Sequence, residues 1–470
     1  MSSIVRIAFS ALVCWAAPIC LVSAQETFAP ATNEGLRASY APVVETAAPA
    51  VVNVYTRRVV RTAGRRLRSP MFEFFFGEGA SPFDAMPRER VENSLGSGVI
   101  VSPDGVIVTN NHVIEGMSEI KVVLADRREF EAELVQADEK TDLAVLRIVA
   151  DEPLPFLTFA DSDSAQVGDV VLAIGNPFGV GQTVTSGIVS ALARTQVGVT
   201  DYQFFIQTDA AINPGNSGGA LVDASGKLLG VNTAIYSRSG GSNGIGFAIP
   251  ANLVKQVIES AVEGVALVRP WLGAKVETVT PDIAMAVGLD RPAGAMVADI
   301  WKSGPAAKAG LKPGDVIVSV DGQDILDEPS LRYRVATRSN GERVTIRYVR
   351  DGKMRTGDVN VDAPPEDPAR DVRRLEGSHP LNGVSVANLS PAFNEELGRD
   401  PFEPGVVVLD APRTTFAARR GLRRGDRIVG FGGEAVNSAR ELERALSRPR
   451  SAWSFEIERG GQIYPWAVTP

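Results

Sequence analysis

The segment KAGLKPGDVI (Lys308–Ile317) returns 111 residues later as RRGLRRGDRI (Arg419–Ile428). Gly310, Leu311, Gly314, Asp315 and Ile317 recur as Gly421, Leu422, Gly425, Asp426 and Ile428. Two copies at this spacing do not make a solenoid, whose repeats run to roughly 20–50 residues. They read as two sister domains of about a hundred residues each. The duplication lays out the second half of the chain as one domain over 266–362 and another over 381–470. The intervening 363–380 is proline-rich and charged and lacks apolar periodicity, so it reads as a linker.

Upstream the texture differs. From Val51 to about Pro250 the chain is a series of short runs rich in valine and isoleucine, broken by turn signals, which is an all-β pattern. The stretch from Ser97 to Asn111 reads as a hairpin turning through Pro103, Asp104 and Gly105. Only Ala251–Ala266 has helical spacing, and many strands closed by one helix indicate a sandwich or a pair of barrels over residues 25–265.

The amino terminus carries one early charge at Arg6, an apolar run from Ile7 to Val22 and small residues before Gln25, which reads as a signal peptide over residues 1–24. Both cysteines, Cys14 and Cys20, lie inside it, so the exported chain has no disulfide and no thiolate metal site. That combination suits a bacterial envelope compartment. A net charge of −8 argues against nucleic acid, which demands a basic footprint. One local exception is the six-arginine stretch Arg57–Arg68, followed by MFEFFF from Met71. It reads as a solvated loop, or as a sticky insertion that touches a neighbouring subunit or anionic lipid, giving a peripheral membrane contact.

Two histidines limit where proton transfer can occur. His379 stands in the linker beside Pro380 and reads as structural. His112 follows an expected strand in TNNHVIEG, at a strand end. Asp142 opens the apolar run of TDLAVLR, and Ser217 sits among the glycines of GNSGGAL. Asp142 alone would pass for a turn residue. Together the three supply a hydroxyl nucleophile, a base to take its proton and a carboxylate to orient the base. The glycines have a matching purpose: a tetrahedral intermediate puts negative charge on the former carbonyl oxygen, and backbone N–H groups must approach it to about 3 Å. Gly215 can adopt conformations that turn its N–H toward that of Ser217.

These three segments, in this order and followed by the duplicated domains, resemble the Deg/HtrA family of trypsin-like serine endoproteases of the bacterial envelope and of organelles. The resemblance implies a mainly β fold: a chymotrypsin-like double β-barrel followed by two PDZ domains. It implies His112 as general base and acid, Asp142 as its orienter and Ser217 as nucleophile, with an oxyanion hole at Gly215 and Ser217 helped by Asn216. Thr233, Ala234, Ile235, Tyr236 and Ser237 correspond to the strand edge that lines the substrate, and Trp271, Leu272, Gly273 and Ala274 to the first PDZ domain's carboxylate-binding loop. Asn382–Ser385 is the weaker match in the second, which binds either peptide or neighbouring subunits.

The same resemblance implies a periplasmic, cofactor-free enzyme acting on unfolded or mislocalised polypeptides, with C-terminal peptides binding at the first PDZ domain. A homotrimer or higher oligomer would form through an N-terminal segment containing Phe28 and Tyr40. The apolar residues Ala211 and Ile212 imply a pocket for valine, alanine or isoleucine. Digestive relatives of this fold carry aspartate where this chain has Asn216, so activation by a freed amino terminus is not expected. Loop rearrangement over 192–203, 209–214 and 236–244 takes its place. The alternative reading is a periplasmic chaperone or PDZ scaffold on a protease fold, with cleavage secondary.

Other sites fail on their residues. Asp161–Gln166 begins like a calcium loop but has Gln166 at the glycine turn and Leu172 at the bidentate position. GNSGG lacks the lysine and spacing of a phosphate loop.

Overall fold

The computed structural model describes residues 39–60, 90–176, 181–194, 204–213, 215–235, 242–265, 267–448, 450 and 452–468. The signal-peptide reading, Phe28 and the MFEFFF run lie outside the described residues. The chain divides into two units, Met1–Pro42 and Val43–Pro470. The first is described only at 39–42, where Tyr40 is exposed. Everything that follows concerns the second.

Its first sheet has seven strands: β1 (Val51–Val60), β2 (Arg90–Ile100), β3 (Val106–Asn110), β4 (Glu119–Val123), β5 (Glu129–Glu131), β6 (Glu133–Asp138) and β7 (Leu143–Arg147), in the order β5-β4-β1-β2-β3-β7-β6. The two edge strands are consecutive in sequence, separated only by Ala132. The sheet therefore has to curl until its edges nearly meet, a barrel without a closing ladder. The second sheet is closed: β8 (Val170–Gly175), β9 (Thr183–Arg194), β10 (Phe205–Thr208), β11 (Ala220–Asp223), β12 (Leu228–Ile235) and β13 (Gly246–Pro250) form a barrel in the order β10-β13-β12-β11-β8-β9. The expected hairpin is β2–β3, with Gly105 in the positive-φ conformation its turn requires (φ 90).

A four-residue turn of helix, α1 (Asn111–Ile114), follows β3, and α2 (Ala251–Glu263) follows β13. Leu253, Val254, Val257, Ile258 and Ala261 form the buried face of α2. The helix stops where Gly264 takes φ 67 and its N–H returns to Ser260 and Ala261. That face joins one continuous core with Ile107, Leu146 and Ile174 from the two sheets.

The duplicated half forms two similar sheets. The first comprises β14 (Ala274–Thr278), β15 (Ala295–Ile300), β16 (Val316–Val320), β17 (Gln323–Asp324), β18 (Arg343–Arg350) and β19 (Lys353–Asn360), with helix α3 (Glu328–Ala336). The second comprises β20 (Arg373–Arg374), β21 (Ser385–Asn388), β22 (Val406–Asp410), β23 (Arg427–Phe431), β24 (Glu434–Ala435), β25 (Trp453–Arg459) and β26 (Gln462–Val468), with helices α4 (Pro391–Glu396) and α5 (Ala439–Leu446). The repeated aspartates explain the repeated motif. Asp315 and Asp426 are buried, and each accepts a two-pronged ion pair from an arginine at the end of a strand, Arg350 or Arg459.

The first duplicated domain packs on the barrel through Tyr333, whose ring stacks on Phe204 at a centroid distance of 3.7 Å and 4° between planes. Arg334 pairs with Asp163 at 2.5 Å, and Gln256 Nε2 donates to the Arg338 carbonyl at 2.9 Å. Asp163, from the segment that begins like a calcium loop, thus binds an arginine.

Candidate active site

The strand pairing of β3 with β7 brings the first two site residues together. The last pair of that ladder is Asn110 with Leu143, so His112 and Asp142 lie just beyond its end. Asp142 is fully buried and takes φ 57, a left-handed conformation that aspartate tolerates better than most residues. Its carbonyl is held by Asn110 Nδ2 at 2.9 Å and by the Asn111 N–H at 3.0 Å. Its carboxylate faces His112: Nδ1 lies 2.8 Å from Oδ2 and 3.0 Å from Oδ1, and the His112 backbone N–H donates to Oδ1 at 2.9 Å. The Thr233 hydroxyl donates to Oδ2 at 2.7 Å. A carboxylate held by these donors keeps Nδ1 as the protonated ring nitrogen and leaves Nε2 as the basic one.

Ser217 lies in the turn before β11. Its hydroxyl donates to the Thr233 carbonyl at 3.2 Å, so Thr233 on β12 touches both Asp142 and Ser217. Gly215 takes φ 101 and Gly218 φ 83. A Cβ on Gly218 would stand 2.1 Å from the Ser97 carbonyl oxygen, so only glycine fits behind the serine. Among the described residues, the N–H groups of Gly215 and Ser217 are not donated to other groups of the chain, whereas that of Asn216 goes to Asn213 at 3.0 Å. The Asn216 side chain is buried against Gly175, and among the described residues neither of its polar atoms has a hydrogen-bond partner.

Sequence reasoning passed over Ser97, the residue that fastens this turn to the first sheet. Its hydroxyl donates to the Gly215 carbonyl at 2.7 Å and accepts the Asn176 N–H at 2.9 Å, and its backbone N–H donates to the Ser217 carbonyl at 2.8 Å. The available signal was the alternation Gly96-Ser97-Gly98 inside a strand. A Cβ at Gly96 would meet Val113 at 2.6 Å, so the strand is pressed against α1 beside Ser217.

The ladder between β11 and β12 reaches only to Val231, while Ala234 and Ile235 pair with Phe247 and Gly246 on the other side. Tyr236 and Ser237 lie outside the described residues, as do 195–203, Pro214 and 236–241 of the expected regulatory loops. Ile212 is buried beneath Gly246, where a Cβ would stand 2.7 Å from its Cδ1.

In the first duplicated domain, Trp271 bridges to Asp362, its N–H donating to that carbonyl at 2.9 Å, and Gly273 takes φ 71. A cavity of about 660 Å³ opens beside this loop, walled by Leu272, Gly273 and Ala274 on one side and Leu331 and Val335 of α3 on the other. Phe402 of the second domain reaches the same place and packs on Trp271 and Trp301 at centroid distances of 5.9 and 6.0 Å.

Residues 96–231 match the family model described as a trypsin-like peptidase domain, and residues 270–361 match that of the PDZ domain. The chain is 39% identical over 448 residues to the periplasmic serine endoprotease DegP of Escherichia coli K12, covering 92% of each chain. It is 41% identical over 446 residues to a probable periplasmic DegP-like serine endoprotease of Pseudomonas putida GB-1, covering 90% of this chain and 91% of the other. Among solved structures it is similar to the HtrA-type protease AlgW with a decapeptide, at 49% identity and a TM-score of 0.51, over 70% of this chain and 99% of that one.

Proposed function

From the premise that this chain belongs to the DegP/HtrA family of periplasmic serine endoproteases, we propose that His112, Asp142 and Ser217 carry out its peptide-bond cleavage. The protein is a periplasmic, PDZ-containing serine endoprotease of envelope proteins. The observation that carries the residue assignment is the buried Asp142 carboxylate at 2.8 Å from His112 Nδ1. This contact leaves Nε2 to act as base toward Ser217.

In the proposed sequence, Ser217 Oγ adds to the scissile carbonyl as His112 Nε2 takes its proton. The resulting oxyanion is met by the N–H groups of Gly215 and Ser217. His112 then gives the proton to the leaving amine, and an acyl-enzyme remains on Ser217. Water, deprotonated by His112, then adds to the acyl carbonyl, and as the bond to Ser217 breaks His112 returns the proton to Ser217 Oγ, releasing the acid. Asp142 stays ionised throughout and stabilises the imidazolium.

The outer edge of β12 beyond Asn232 suits strand addition by an extended substrate from Thr233 onward. Only a chain able to become extended fits there, which accounts for a preference for unfolded proteins. The apolar residues Ala211 and Ile212 favour valine, alanine or isoleucine before the cut. The first PDZ domain would take C-terminal peptides at Trp271–Ala274, and the protein would assemble as a trimer or larger, measurable by light scattering. The test of the assignment is digestion of reduced casein by the native enzyme and by Ser217→Ala. Equal cleavage by both excludes Ser217 as nucleophile.

A further inference from the structure

We propose that the peptide groove of the second PDZ domain already holds a ligand, and that this ligand is the chain's own linker, residues 370–375. The inference stands apart from the protease assignment.

The two duplicated domains match strand for strand, with β14 corresponding to β21, β15 to β22 and α3 to α5. The exception is β20 (Arg373–Arg374), which has no counterpart in the first domain. There, among the described residues, β14 is the last strand of its sheet. In the second domain β20 pairs antiparallel along the outer edge of β21, Arg373 opposite Val386 and Arg374 opposite Ser385. The contact continues on both sides of the ladder. The Asn388 N–H donates to the Arg370 carbonyl at 2.7 Å, and the Leu375 N–H donates to the Val384 carbonyl at 2.8 Å.

This is the geometry by which a PDZ domain takes a peptide, as an added edge strand running toward the loop that captures its end. That loop is engaged as well. Gly383 corresponds to Gly273, both having positive φ, and its N–H donates to the Leu375 carbonyl at 2.7 Å. The Leu375 oxygen therefore stands where a ligand's terminal carboxylate would. Its side chain is fully buried in a core that includes Leu442 and Leu446 of α5. Those leucines correspond to Leu331 and Val335, which line the cavity of about 660 Å³ between the first domain's groove and Phe402 of the second domain. What is empty space in one domain is filled by Leu375 in the other. Two residues earlier, Arg373 pairs with Glu443 on α5 at 2.5 Å, an ion pair between linker and groove helix.

The groove thus has a stated preference: an extended segment with leucine at its end position and arginine two residues before. The linker is tethered beside it, and short tethers give effective concentrations in the millimolar range. With a micromolar intrinsic affinity of the linker for the groove, any competing peptide would see its apparent affinity reduced by roughly a thousandfold. In the resting chain the second groove is then held shut by a segment that also sets the distance between the two domains, whereas the first keeps a cavity that Phe402 of the second domain borders.

The test uses the full exported chain, which has no native cysteine if cleaved after Ala24. In Arg374→Cys/Ser385→Cys, mild oxidation should close a disulfide rapidly in the folded protein and slowly in urea. No closure in the folded protein overturns the proposal. A peptide Asp-Val-Arg-Cys-Leu with a free carboxylate is then offered to Ser385→Cys, alone and combined with Leu375→Glu, with hydrogen exchange of β22 and β23 reporting that the domain stays folded. Mixed-disulfide capture should rise at least tenfold when Leu375→Glu frees the groove. Equal capture by both chains shows that the linker does not occupy the groove. If Leu375→Glu unfolds the domain, Arg373→Glu replaces it under the same criterion.

Discussion

The Thr233 hydroxyl donates to Asp142 Oδ2 at 2.7 Å, and the carbonyl of the same residue accepts the Ser217 hydroxyl at 3.2 Å. One residue of β12 thus holds both ends of the proposed catalytic group. Thr233→Val removes the hydroxyl while keeping shape. A hydrogen bond to a charged group contributes about 1.5–3 kcal/mol, so kcat/KM on casein peptides should fall roughly 10- to 100-fold with the melting temperature little changed. Thr233→Ser should recover most of the loss. An unaltered rate in Thr233→Val would remove Thr233 from the site.

Ser97 acts at one further remove. Ser97→Ala deletes the bond to the Gly215 carbonyl and strands the Asn176 N–H in a buried place. The turn that presents Gly215 should loosen, lowering kcat more than it raises KM, since the oxyanion is stabilised only in the transition state. Steady-state kinetics on one peptide substrate separates the two effects, and a change confined to KM contradicts this reading.

The stacked pair Phe204–Tyr333 joins the first PDZ domain to the barrel, with burial holding the Tyr333 phenol neutral far above its ordinary range. Truncating a buried aromatic costs about 3–5 kcal/mol. Tyr333→Ala should therefore undock this domain before the barrel melts, seen as faster hydrogen exchange in 328–336 with β8 and β11 still protected. Uniform protection in both would mean that the contact adds little.

His379 packs edge-on against Trp453, and burial holds its pKa below the usual histidine value of 6.5. A histidine whose folded pKa is depressed stabilises the fold above the unfolded value, and that contribution is lost as the pH falls from about 6.5 toward the folded pKa. The second PDZ domain should accordingly melt at a lower temperature at pH 5.5 than at pH 7.5, and His379→Phe should flatten the difference. An unchanged slope in that variant excludes His379 as its source.

Much of this molecule was legible in order of residues. TNNHVIEG and TDLAVLR announce His112 and Asp142 because each marks the end of a β-branched strand, and the β3–β7 ladder brings those ends together. The helix Ala251–Glu263 and the β2–β3 hairpin were legible from period and turn chemistry. Ser97 was not, because its importance lies in contacts with residues 79 and 118 positions away. Thr233 was read for the substrate edge its backbone forms, whereas its hydroxyl binds Asp142, a contact no local pattern encodes. Residues 370–375 read as linker because prolines and charges surround them, and only the groove of β21 and α5 makes them a strand.

The most direct measurement is covalent labelling with a fluorophosphonate, which reacts only with a serine activated by a neighbouring base, followed by peptide mapping. The account predicts one adduct per chain, on Ser217, abolished in Ser217→Ala and in His112→Ala and greatly slowed in Asp142→Asn. A native, casein-cleaving enzyme that carries no adduct at Ser217, or that labels equally well without His112, would contradict it.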